Sequence, residues 1–223
     1  MTKAMNITDT PLLDRIERLY TCILSDMSEA ISDMRLFLGQ DIQSINGDHG
    51  TKMAGFAFPA RVRRTNEYVE IDKLLEMVDA VPPNSVVVVE GDEGLECALW
   101  GGLMSAAAQR RAARGAVTNG LVRDVEQIAR LGFPVFGTGR TALDIRGRAQ
   151  MVEYGRPVQI RGVPIRPGDV VFGDANGVLV VPVERIETLL ARAEQGAQDE
   201  SSTQADLLHG ETARAVFGRY GRF

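Results

Sequence analysis

Two short stretches of this chain carry residue types that could hold and polarise a small anion. The first is Trp100-Gly101-Gly102-Leu103-Met104, where adjacent glycines let a ligand come close to the backbone. The second is Asn119-Gly120 followed by Arg123-Asp124, which sets a guanidinium beside a carboxylate. An anion cradle, a planar arginine fork and one hard oxygen ligand suit a 2-oxo acid bound to a divalent cation. Each feature also has a bland reading. Asp124 with Gln127 is the pattern of a helix N-cap and its capping-box partner. Arg123 could be a solvated surface residue, and Gly101-Gly102 could only let two helices pack closely.

Other chemistries find less support. Cys22 and Cys97 stand far apart in apolar, helical-looking segments, and His49 and His209 stand alone, so zinc-ligand spacing is missing. The cysteines read as buried thiols of a cytosolic protein, and a Ser-His or Cys-His nucleophile would need an accident of folding. Gly137-Thr138-Gly139-Arg140 lacks the spacings of a P-loop or a dinucleotide fingerprint. Arg110, Arg111 and Arg114 read as the solvated face and last turn of a helix, and Asp26 as an exposed residue opposite an apolar stripe.

The elements around the two stretches would place them together. Ser85-Val86-Val87-Val88-Val89 is a continuous β-branched run, which predicts a strand buried on both faces, as in a parallel sheet. The loop Gly91-Asp92-Glu93-Gly94 follows, then an alanine-rich helix at about 98–114. Gly115-Ala116-Val117-Thr118 reads as a short strand. Val125, Ile128 and Leu131 mark a helix stopped by Gly132, and Phe133-Pro134-Val135-Phe136 is a third strand. Right-handed crossovers make these three strands parallel neighbours. Ligands in open α/β sheets bind beyond the carboxyl ends of the strands, so loops 90–104 and 119–124 are the expected site. Each feeds a helix N-terminus, where free N–H groups attract anions.

The flanks read more simply. The first 35 residues are helical, with Ile23, Met27, Ala30, Ile31 and Met34 on one face. Residues 39–52, with Gly39, Asn46, Gly47, Asp48 and Gly50, form a loop; 54–62 are extended, and Ile71, Leu74, Leu75 and Val78 give a helix closed by Pro82 and Pro83. Strands at 158–160, 169–172 and 178–181 follow, the last two joined by the hairpin signal Asn176-Gly177. Helices at about 183–195 and 203–217 end the chain. Residues 1–223 are therefore read as one α/β domain with N-terminal helices at about 10–35. It has a short parallel β-α-β-α-β core and a β-hairpin-rich second layer.

Composition agrees with a small-molecule protein. With 223 residues, 44% of them hydrophobic, the chain can bury an ordinary core without a disulfide or metal staple. A net charge of −5 and a pI of 5.2 argue against nucleic acid or anionic membranes as partners. No stretch approaches the ~18 apolar residues of a membrane span. Met1-Thr2-Lys3-Ala4-Met5-Asn6 lacks the apolar run of a secretory signal, so a cytoplasmic location is expected.

Several motifs in order resemble the RraA-like proteins, which include the class II 4-hydroxy-4-methyl-2-oxoglutarate aldolases. They are Trp100-Gly101-Gly102-Leu103-Met104, Gly115…Asn119-Gly120-Leu121-Val122-Arg123-Asp124, Gly132-Phe133-Pro134-Val135-Phe136, Pro167-Gly168-Asp169 and Gly173-Asp174-Ala175-Asn176-Gly177-Val178. The resemblance runs from about residue 20 to the end. It implies a three-layer β/β/α swivelling-type fold, a homotrimer or a pair of trimers, and sites between subunits. It implies that the amides of 101–104 and the Arg123 guanidinium hold a pyruvate unit, and that Asp124 holds Mg²⁺ or Mn²⁺, largely through water. It further implies a catalytic carboxylate from a neighbouring subunit's C-terminal helix, matched here by Glu200.

One departure matters. Family aldolases carry an aspartate, twenty intervening residues, then Arg-Asp, and Gly102 stands at the first of these positions. The acid–base group is missing while the metal and enolate machinery is kept, and Asp92, Glu93 and Glu96 are the first suspects for a substitute base. The ribonuclease inhibitor of the family departs differently, by lacking the Arg-Asp pair. No glycine-rich methyl-donor loop supports the methyltransferase label some relatives carry. The expected function is a divalent-metal-dependent lyase that cleaves a C–C bond of a 2-oxo acid through a pyruvate enolate. The substrate would be 4-hydroxy-4-methyl-2-oxoglutarate, oxaloacetate, or both. The alternative is a non-catalytic RraA-type regulator that binds a ribonuclease.

Overall fold

The computed structural model describes residues 10–29, 36–46 and 51–221. Ala30, Ile31 and Met34 of the N-terminal rhythm, and Gly47, Asp48, His49 and Gly50 of the expected loop, lie outside the described residues. The chain opens with helices α1 (Thr10–Glu17) and α2 (Thr21–Glu29), strands β1 (Gln43–Ser44) and β2 (Met53–Arg64), and helix α3 (Asp72–Asp79). Its middle runs β3 (Ser85–Glu90), β4 (Ala98–Trp100), α4 (Gly102–Arg110), β5 (Gly115–Thr118), β6 (Leu121–Val122), α5 (Val125–Leu131), β7 (Val135–Gly137) and β8 (Gly139–Arg140). Strands β9 (Ala149–Tyr154), β10 (Val158–Ile160), β11 (Val163–Ile165), β12 (Val170–Asp174) and β13 (Gly177–Val181) precede helices α6 (Ile186–Leu208) and α7 (Ala213–Tyr220).

The main sheet has the order β1-β7-β5-β3-β2-β12-β13, with β9 also paired to β2. Strands β3, β5 and β7 are parallel neighbours, as expected, and β2 extends the parallel set. The valine run of β3 has a direct cause. Alternate side chains point to opposite faces, so Val87 and Val89 pack with Met77, Ala108 and Ile128 beneath α3, α4 and α5. Val86 and Val88 face the other way, into a core shared with Phe136 and the separate hairpin β10–β11. Neither face meets water. A third core joins α1, α2 and α6 to β2, β12 and β13.

The strands β4, β6 and β8 form a second, three-stranded parallel sheet. Each follows one of the parallel strands β3, β5 and β7, so the chain emerging from three carboxyl ends is tied into one small ladder. This corrects the helix expected at about 98–114. Ala98 and Trp100 instead pair with β6, and the helix begins only at Gly102.

Other expectations shift in detail. The N-terminal helical stretch is two helices, broken where the Leu19 N–H closes a turn on the Ile16 carbonyl. The polar stretch between the two expected C-terminal helices is helical too, making α6 one helix of 23 residues. Ser201, Ser202 and Thr203 bond back to carbonyls four residues earlier, so their hydroxyls are satisfied within the helix rather than in a turn. The hairpin at 170–181 forms, but Asp174 pairs with Gly177, leaving Ala175 and Asn176 as its loop. Neither has the positive φ of a type I′ turn; Gly177 carries it, at 130°. Buried Asp174 shapes that loop by accepting the Asn176 N–H at 2.8 Å and the Thr21 N–H at 2.8 Å. Arg114 is not a solvated residue: it pairs with Glu17 at 3.2 Å and clamps α1 to the sheet. Cys22 is exposed rather than buried, whereas Cys97 is buried, and burial raises the Cys97 thiol above its ordinary pKa. Among the described residues no helix is long and apolar enough to cross a membrane.

Candidate functional site

Asp124 stands in the N-cap position of α5 but does not cap it. Its backbone is left-handed, with φ 58° and ψ 36°, and its side chain makes no bond to the first turn. The Gln127 and Ile128 N–H groups donate to the Asp124 carbonyl instead, at 2.9 and 3.1 Å, so the helix start does not use the carboxylate. Oδ2 turns the other way. It accepts the backbone N–H of Gly102 at 3.2 Å and lies 3.2 Å from Arg123 Nε. The capping-box reading is therefore overturned. A non-glycine residue in this conformation costs about 1–2 kcal/mol, least for Asp and Asn, and such strain concentrates at functional sites.

The start of α4 is held rigidly opposite that carboxylate. The Gly101 carbonyl accepts both the N–H and the hydroxyl of buried Ser105, each at 3.0 Å. Ser105 Oγ in turn accepts the Trp100 indole N–H at 2.8 Å, and the indole stacks on Phe133. First-turn N–H groups, here those of Leu103 and Met104, have no intrahelical acceptor and sit at the positive end of the helix dipole. A side chain at either glycine would crowd this turn. A β-carbon on Gly101 would lie 3.0 Å from Arg123 Cγ and 3.1 Å from Asp124 Oδ2. One on Gly102 would lie 2.6 Å from Gln127 Oε1 and 3.0 Å from Asp124 Cβ.

Arg123 is fixed by the small sheet: its N–H donates to the Trp100 carbonyl at 3.0 Å. Its guanidinium spans two carboxylates, with Nε on Asp124 Oδ2 at 3.2 Å and Nη1 on Asp144 Oδ2 at 3.0 Å. These groups and the first turn of α4 form the polar end of a cavity of about 220 Å³. Ile71, the residue before α3, and Leu74 and Val78 of α3 form its apolar wall.

The donor set suits a hydrated hard cation. Among the described residues Asp124 Oδ1 accepts no hydrogen bond, and its side chain is 29% exposed. No group of three or more His, Cys, Asp or Glu among them could cage a metal. Mg²⁺ commonly keeps several waters and takes only one or two protein carboxylates, which Asp124 can supply.

Residues 21–180 match the RraA-like model, described as Aldolase/RraA. The chain belongs to the RraA-like family. It is 32% identical over 177 residues to Protein DlpA of Legionella pneumophila, a match covering 78% of this chain and 28% of that much longer protein. It is 30% identical over 146 residues to a Halalkalibacterium halodurans protein named "Putative 4-hydroxy-4-methyl-2-oxoglutarate aldolase", covering 66% of this chain and 69% of that one. Streptomyces coelicolor RraAS2, titled an unusual member of the RNase ES inhibitor RraA protein family, superimposes with a TM-score of 0.79 at 24% identity. That superposition covers 90% of this chain and 98% of RraAS2, and it shows a shared fold.

Within this RraA-like fold, Gly101, Leu103, Met104, Arg123 and Asp124 all line one cavity. Gly102 lies beside it, donating its N–H to Asp124, with Gln127 standing where a side chain would go. Glu200 is not brought to the cavity within one chain. It is exposed on α6, and its carboxylate accepts the hydroxyl of Tyr20. The suspected substitute bases also fall elsewhere. Asp92 accepts the Arg64 N–H at 2.7 Å, Glu93 pairs with Arg161 at 3.2 Å, and Glu96 is exposed; none lines this cavity. The site residue missed in the sequence is Asp144. The rule that names loops 90–104 and 119–124 applies equally to the third carboxyl end, whose chain runs through β8 into Asp144-Ile145-Arg146.

Proposed function

We propose that this protein is a divalent-metal-dependent lyase that cleaves a C–C bond of a 2-oxo acid through a pyruvate enolate. The observation that carries the reading is the left-handed turn at Asp124. It aims the carboxylate away from its own helix, at the α4 N-terminus and Arg123. The relatives named as aldolases point to the same chemistry.

The pyruvate carboxylate lies on the first-turn amides of Leu103 and Met104, with Gly101 keeping the approach open. Arg123 donates to the keto oxygen and holds the negative charge that develops there as the bond breaks. Because Asp124 and Asp144 both grip the guanidinium, its plane is set before substrate arrives, so little reorganisation is needed during reaction. The apolar wall from α3 keeps water from the reacting carbons. Mg²⁺ or Mn²⁺ held through Asp124, largely by way of water, supplies Lewis-acid polarisation when bound. Oxaloacetate decarboxylation and retro-aldol cleavage of 4-hydroxy-4-methyl-2-oxoglutarate share this enolate. Glycine at 102 favours decarboxylation, which needs no base at a hydroxyl group. The protein works in the cytoplasm as a homotrimer or hexamer on a small substrate, with Glu200 reaching a neighbour's site.

The test is pyruvate release from oxaloacetate with and without a chelator. Loss of release with the chelator and its return on adding Mg²⁺ or Mn²⁺ support the reading. Absence of release under all conditions, alongside binding to a ribonuclease, favours the RraA-type regulator.

A further inference from the structure

Retro-aldol cleavage needs a base at the C4 hydroxyl, and position 102 cannot supply one. Glycine has no carboxyl group there, and Gln127 fills the space a side chain would take. Among the described residues the cavity is lined by two carboxylates, Asp124 and Asp144. Asp124 is the residue assigned to the cation, whose charge would hold its carboxylate ionised. Asp144 stands on the opposite side of the same guanidinium. Its Oδ2 accepts from Arg123 Nη1 at 3.0 Å, and its Oδ1 accepts the Arg146 N–H at 2.6 Å. Its side chain is 38% exposed, so it can exchange protons with water.

Resting on the lyase reading above, we propose that Asp144 is the base for retro-aldol cleavage, replacing the aspartate that Gly102 lacks. In the proposed pose the C2 oxygen of substrate sits on Arg123 and C4, two carbons further along, sits at Asp144, which lines the same cavity at the other end of that guanidinium. The C4 hydroxyl gives its proton to the Asp144 carboxylate as the C3–C4 bond breaks. The electron pair of the broken O–H bond becomes the second bond of the new carbonyl of one pyruvate. The C3–C4 pair becomes the C2–C3 double bond of the other product's enolate, and the C2–O π pair moves onto the oxygen that Arg123 holds. The enolate takes a proton at C3 from water, and Asp144 returns its proton to water. One 4-hydroxy-4-methyl-2-oxoglutarate thus yields two pyruvates, and the enzyme is regenerated.

The experiment measures both reactions on the whole protein and reads the ratio of retro-aldol to decarboxylation rate. Asp144→Asn keeps an oxygen acceptor for Arg123 but cannot take a proton. Asp144→Ser is the second variant, in which water can take the carboxylate's place on Arg123 and Arg146. In both, the ratio falls by roughly 10²–10⁴, the range for a lost general base. A ratio that stays at the wild-type value, whether both rates fall together or neither moves, overturns the proposal: Asp144 then only positions Arg123. Wild-type protein that decarboxylates oxaloacetate but shows no retro-aldol activity also overturns it and leaves the lyase reading standing. Wild-type protein with neither activity overturns the lyase reading itself.

Discussion

The carboxylate of Asp124 accepts the backbone N–H of Gly102, twenty-two residues earlier in the chain, at 3.2 Å. That bond joins the residue before α5 to the first residue of α4, the two helices that start beyond adjacent parallel strands. It exists because Asp124 is left-handed and because position 102 has no side chain to hold the helices apart.

Asp124→Asn tests what the carboxylate does. Asparagine tolerates the left-handed conformation, and its amide oxygen can still accept the Gly102 N–H. Stability is expected to change by no more than about 1 kcal/mol, since the α5 start does not use the side chain. Metal-dependent turnover is expected to fall by roughly 10² or more. A variant retaining above about a tenth of wild-type activity removes Asp124 from the metal site.

Arg123→Lys should not rescue function. A lysine keeps one charge but cannot span Asp124 and Asp144 while presenting a planar edge to the enolate. The expected result is a fall in kcat of order 10²–10³ with a smaller change in KM. An unchanged kcat with a raised KM would assign Arg123 to substrate binding alone.

Much of the scaffold is legible in the sequence because it depends on local pattern. The valines of β3 announce two buried faces, and Gly132 stops α5 where expected, with φ 63°. The site is less legible. Ala98-Leu99-Trp100 reads as the apolar entry to a helix, because nothing local reveals its pairing with β6, some twenty residues on. The left-handed turn at Asp124 is a tertiary product; the same residues spell an ordinary capping box. Asp144 sits in a charged turn that resembles solvated surface until Arg123 is seen against it.

Restoring the aspartate at Gly102 is expected to need a second change. The new side chain meets Gln127 Oε1 and the Cβ of both Asp124 and Gln127 within 3.2 Å. Gly102→Asp alone should cost about 1–3 kcal/mol, a fall of roughly 3–10 °C in thermal midpoint. Adding Gln127→Ala removes the Oε1 contact while both Cβ contacts stay, so it should recover part of that loss and raise retro-aldol cleavage relative to decarboxylation. A folded double variant with an unmoved ratio would separate position 102 from acid–base work.

Glu200, on α6, lies against Tyr20 and outside the cavity of its own chain, so its proposed role is at a neighbour's site. Inactive Arg123→Ala and Glu200→Ala subunits are expected to regain activity when mixed, since some interfaces then carry both wild-type residues. No recovery after demonstrated subunit exchange would remove Glu200 from the site.

The most direct measurement is a crystal structure with Mn²⁺ and oxalate, which mimics the pyruvate enolate. The expected result is an anomalous peak beside Asp124, with oxalate bridging Arg123 and the Leu103 and Met104 amides. An anomalous peak away from Asp124, or oxalate that leaves Arg123 untouched, would contradict the metal-dependent lyase.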